Sequence, residues 1–82
     1  MHFTREQTAE LNVLIQFNLD STMNGIKVHS TAAPEMLEAV ERLYRKGMVS
    51  SLDGGYLTGL GFTAAEHAQT LRVLLASTAE GA

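Results

Sequence analysis

Apolar residues recur at helical spacing in three stretches of the chain, and short alternating stretches lie between them. Thr4-Arg5-Glu6-Gln7 has the form of a capping box, which predicts a helix start at Thr4. Beyond it Leu11, Leu14, Ile15 and Asn18 share one face, and Val13 and Phe17 widen it. Glu6 and Glu10 fall near the N-terminal end, where carboxylates suit the helix dipole. The apolar arc is broad enough to pack on two sides, inward and against a partner.

In the stretch after Asn18, Asp20, Ser21 or Thr22 can cap a single helical turn, and Asn24-Gly25 is a turn signal. Ile26-Lys27-Val28-His29 alternates apolar and polar residues and reads as a short strand. A second helix begins between Thr31 and Pro34, because proline is tolerated only in a first turn. Met36, Leu37, Val40, Leu43 and Tyr44 form its buried stripe, and Glu38/Arg42 and Glu41/Arg45 are i,i+4 pairs. Gly47 is the expected glycine of a Schellman ending, with Leu43 against Met48. Met48–Leu52 and Tyr56–Thr58 then form a hairpin around Asp53-Gly54-Gly55. A lone hairpin is marginal in water, and Ile26–His29 is the strand available to widen it. The last helix opens at Thr58 and carries a stripe of Leu60, Ala64, Ala68 (or His67), Leu71, Leu74 and Leu75. Gly59 and Gly61 weaken its first turn.

The reading is an α+β, winged-helix-like fold in the order helix, short strand, helix, β-hairpin, helix. At 82 residues the chain makes one domain, 1–82, ordered over about 3–77 with a flexible tail at 78–82. A domain of this size buries only about 60–65 % of its unfolded surface, which makes dimerisation a useful source of further burial. The absence of cysteine removes disulfides and thiolate metal sites, and fits a reducing, cytoplasmic setting. MHFTREQ lacks the apolar core of a signal peptide, and no run approaches the roughly 18 apolar residues of a membrane span.

Residues from about Met36 to Glu66 carry a family likeness: a helix ending in AVERLYRKGMV, a two-strand wing, and YLTGLG opening the next helix. In that order they resemble the winged helix-turn-helix superfamily. Gly47-Met48-Val49, Gly54-Gly55 and Leu57-Thr58-Gly59-Leu60-Gly61 stand at its recurrent positions. The whole chain, including FNLDSTMNGIKVH, is also similar to a small uncharacterised bacterial family labelled, at most, provisionally as DNA-binding. The resemblance implies double-stranded DNA as a partner, with the second helix as the recognition helix. Two features depart from the superfamily pattern. The space between Asn18 and Thr31 holds at most one helical turn and a strand, and Met48–Thr58 contains no Lys or Arg while its tip carries Asp53.

Charge bears directly on that implication. Six Lys/Arg stand against nine Asp/Glu, a net −3, whereas affinity for phosphates usually needs a basic excess. Arg42, Arg45 and Lys46, joined by Lys27, are the candidate phosphate contacts. They serve equally as complements to the helix dipole and partners for Glu38 and Glu41. Glu35, Glu38 and Glu41 would meet a phosphate-lined groove with repulsion. His2, His29 and His67 lack mutual i,i+3 or i,i+4 spacing, so no metal or other cofactor is expected. No activated-nucleophile pattern appears, and the domain reads as non-enzymatic. Val13, Phe17, Leu71, Leu74 and Leu75 are candidates for a symmetric homodimer seam between terminal helices. Two function classes follow: a DNA-binding, transcription-associated protein, or a protein-interaction or dimerisation module on the same scaffold.

Overall fold

The computed structural model describes residues 1–21 and 24–77. The expected tail at 78–82 and the cap at Thr22 lie outside the described residues. The elements are α1 (Arg5–Leu14), β1 (Ile26–Lys27), α2 (Pro34–Arg45), β2 (Val49–Ser51), β3 (Gly54–Leu57) and α3 (Gly59–Ala76). The architecture is α+β, with three helices and a three-stranded antiparallel sheet in the order β1-β3-β2. The hairpin therefore gains its third strand from Ile26–Lys27, as the marginal stability of two strands demands.

The capping box closes as expected. The Gln7 N–H donates to Thr4 Oγ1 at 3.0 Å, and the Thr4 N–H donates to Gln7 Oε1 at 3.0 Å. Glu10, Val13 and Leu14 are the buried residues of α1, and Phe17 follows them into the core just past the helix end. Leu11 and Ile15 are half-buried at the flank, and Asn18 is exposed. From α3, the Gln69 amide donates to the carbonyls of Leu14 and Phe17, at 3.4 and 2.7 Å, and so satisfies acceptors that the end of α1 leaves open.

In α2, Pro34 sits in the first turn, and Ala39, Val40 and Leu43 are buried. Its exit is the expected Schellman ending. Gly47 has φ +79°, its N–H donates to the Tyr44 carbonyl at 3.0 Å, and the Met48 N–H donates to Leu43 at 2.9 Å. Thr58 is the N-cap of α3: its hydroxyl accepts from the Gly61 N–H at 3.1 Å and donates to the Gly47 carbonyl. One threonine thus ties the end of α2 to the start of α3.

Two expectations are adjusted. Gly54 and Gly55 belong to β3 itself, the register slipping between Val49↔Leu57 and Ser51↔Gly54. A Cβ on Gly54 would stand 2.7 Å from the Ile26 carbonyl oxygen, so the glycine lets β1 lie close. The larger adjustment concerns α3. Its buried residues are Gly61, Ala65 and Ala68, whereas the Leu60, Leu74 and Leu75 side chains point to solvent. A Cβ on Gly61 would collide with the Met48 carbonyl, so the helix approaches the body through its smallest side chains. The leucine stripe lies roughly a quarter-turn away, at about 100° per residue.

Candidate functional site

The basic cluster divides. Arg42 and Lys46 stand one turn apart on α2 and both reach the Glu10 carboxylate of α1. Arg42 Nε donates to Glu10 Oε2 at 2.8 Å, and Lys46 Nζ donates to Glu10 Oε1. Arg42 also donates to the Glu6 carbonyl at 3.2 Å. The Glu10 residue is 6 % exposed, so its charge needs these partners. Burial alone would push its carboxyl up; the hydrogen bonds and charges of Lys46 and Arg42 outweigh that and hold it below the ordinary glutamate range.

Arg45 pairs with Glu41 across one exposed turn at 3.4 Å, a contact worth a few tenths of a kcal/mol. Lys27 is exposed on β1 and shares a groove of about 470 Å³ with Leu37, Glu41, Leu52 and Asp53. It stands apart from the Glu10 cluster. The structure brings Arg42 and Lys46 together on a carboxylate, and leaves Lys27 and Arg45 as the cations directed to solvent. Glu35 and Glu38, with Arg5, Glu6 and Arg42, line a shallow notch between α1 and α2.

Acid–base and metal chemistry find little to use. A cleft of about 320 Å³ beside the start of α3 is lined by Asn18, Ser21, Asn24, Leu57, Thr58, Gly59 and Phe62, none of them titratable. His2, His29 and His67 are exposed, and no group of three potential ligands gathers among the described residues. Nor is any described helix long and apolar enough to cross a membrane.

The candidate seam residues separate by helix. Val13 and Phe17, 1 % and 3 % exposed, are packed inside the single chain. Leu71 is half-buried, while Leu74 and Leu75 are exposed, as is Leu60 at the other end of α3. Residues 72–77 are exposed on every side. Val73 and Leu74 also border a groove of about 390 Å³ with Leu19 and Gln69. Leu60, Val73, Leu74 and Leu75 are each more than half exposed on this one helix.

A family of unknown function (DUF5669) matches residues 1–76. The chain belongs to that family. No curated protein and no solved structure matches the chain. For this DUF5669 protein the site must therefore be argued from its own geometry. That geometry offers an ion-pair clamp between α1 and α2 and an outward leucine face on α3. The second presents large apolar side chains to solvent.

The signal for the ion-pair clamp lay in the sequence. Glu10 stands at i, i+3, i+4 and i+7 spacing with Val13, Leu14 and Phe17, so it shares their buried face. A carboxylate on such a face calls for cations, and Arg42 and Lys46 at i,i+4 supply two. Gln69 as a cap for α1 had no comparable signal, because the pairing depends on the angle between α1 and α3.

Proposed function

We propose that this DUF5669 domain is a non-enzymatic protein-association module that docks its partner through the outward face of α3. The observation that carries the reading is the exposure of Leu60, Leu74 and Leu75 while Gly61, Ala65 and Ala68 occupy the core. Large side chains left outside and small ones taken inside are what an interface helix requires. The winged-helix likeness then describes the scaffold, and fold alone does not carry DNA binding with it.

The DNA reading draws its support from Lys27 and Arg45, the two candidate contacts not engaged with Glu10, and from the element order. Against it stand the engagement of Arg42 and Lys46 with Glu10 and a hairpin without Lys or Arg. Gel shift of labelled duplex at low salt separates the two. An association module gives no shift at any salt, and Lys27→Ala with Arg45→Ala changes nothing. A shift that weakens as salt rises, and is lost in that double variant, would establish the DNA reading instead. In parallel, tagged wild-type chain should retain a protein that Leu60→Glu and Leu74→Glu release. Identical retention by both variants would remove α3 as the docking face.

A further inference from the structure

We infer that the outward face of α3 pairs with α3 of a second copy, in antiparallel orientation, to form a homodimer. The inference rests on the association reading and names its partner. Leu60, Ala64, His67, Leu71 and Leu74 follow one another at alternating spacings of four and three residues. That seven-residue repeat is the signature of a helix seam that meets another helix of the same repeat. Leu60, His67 and Leu74 are exposed, and Ala64 and Leu71 are half-buried between them, so the stripe presents three of its five members fully to solvent.

The residues flanking the stripe identify the occupant. In a helix pair, charges beside the seam choose the partner. Here Thr63, Thr70 and Leu75 stand exposed beside it, none of them charged, while Gly61 and Ala68 on the same flank as Leu75 are buried in the chain's own core. The charged residues of α3, Glu66 and Arg72, stand about 120° to either side of the stripe, Glu66 bordering the groove beside Leu74. Nothing selects an acidic or basic partner, and nothing repels a second copy despite the net charge of −3. An uncharged seam is complementary to itself.

Orientation follows from side-chain size. In a parallel pair Ala64 would face Ala64 and His67 would face His67, leaving a void beside two apposed imidazoles. With a two-fold axis near residue 69, Ala64 faces Leu74 of the second copy, small against large, and His67 faces Leu71 in place of a second imidazole. The helix dipoles then also oppose. The stripe spans about 22 Å, and a seam between two single helices falls at the small end of specific interfaces. A dimer half-formed on the order of 10 µM is therefore expected.

Sedimentation velocity from about 1 to 300 µM tests this, with circular dichroism confirming that each variant folds. Wild-type chain should pass from monomer to dimer across that range. Leu74→Glu should weaken pairing at least about tenfold, and His67→Leu should strengthen it. Val73→Glu is the control: Val73 is 60 % exposed beside Leu74 but points away from the seam, so dimerisation persists. Loss with Val73→Glu and retention with Leu74→Glu would overturn the seam. In the cysteine-free chain, an oxidised mixture of Ala64→Cys and Leu74→Cys proteins should cross-link between the two variants. Cross-linking of each variant to itself alone would overturn the antiparallel arrangement. A wild-type chain monomeric at every concentration overturns self-pairing. If Leu74→Glu still releases a captured protein in that case, the association reading survives; if it releases none, both fall.

Discussion

Glu10 shows how one residue's burial redirects the chemistry of a surface. A carboxylate carried into the core face of α1 must be neutralised or paired, and Arg42 and Lys46 pair it. As a result, two of the four cations that suggest nucleic acid serve cohesion between helices. Because the folded-state pKa is depressed, the contribution to stability is full above the unfolded glutamate value, about 4.3, and is lost as pH falls through the folded value. Glu10→Gln should therefore cost about 1–2 kcal/mol at pH 7, a figure kept low because Arg42 and Lys46 are partly exposed. As pH falls through the folded value and the wild-type carboxyl takes up its proton, the difference should narrow. Urea midpoints from pH 7 down through that value check it, and a constant gap between the two proteins would contradict the ion-pair account. Arg42→Ala and Lys46→Ala belong to the same test. Their effect on any binding assay is interpretable only beside their melting curves.

At the scale of elements, much was legible because local chemistry decides it. The capping box at Thr4, the Schellman glycine at Gly47 and the Thr58 cap rest on contacts within a few residues, and each occurs as its spacing predicts. The rotation of α3 was not legible in the same way. A stripe of leucines ordinarily marks the inward face, and the body's demand for close approach overrode it. Gly61 is the decisive position: a Cβ there would stand 2.8 Å from the Met48 carbonyl carbon and nearer still to its oxygen. Backbone cannot yield as a side-chain tip can. Gly61→Ala should destabilise the fold by about 2 kcal/mol or more, in the range of core overpacking. Gly59→Ala, where a Cβ meets nothing within 4 Å, should be neutral or stabilising by up to about 1 kcal/mol. Thermal unfolding of the pair measures the contrast directly. Equal effects would mean that α3 does not rest on Met48 through Gly61.

For the whole molecule, the core is a small cluster. Val13, Leu14, Phe17, Val40, Leu43 and Val49 give it most of its bulk, and Ala39, Ala65 and Ala68 fill the places where helices approach closely. Such a core supports only modest stability in a domain of this length. Meanwhile Leu60, Leu74 and Leu75 remain outside, so apolar burial that the single chain forgoes becomes available to a pair. In the inferred dimer folding and pairing are linked, because a second copy would bind the folded chain and not the unfolded one. Above the dissociation constant, each tenfold rise in concentration adds about 1.4 kcal/mol per dimer, or about 0.7 kcal/mol per chain. For a domain of this size that corresponds to a Tm rise of roughly 3–6 °C per decade of concentration. Leu74→Glu should abolish the slope while leaving the dilute-limit Tm within about 2 °C, since Leu74 touches solvent in the monomer. Val73→Glu should keep the slope. Calorimetry of the three proteins over two decades of concentration reads all of this at once. A wild-type Tm independent of concentration would separate folding from pairing and return Leu60, Leu74 and Leu75 to the solvent.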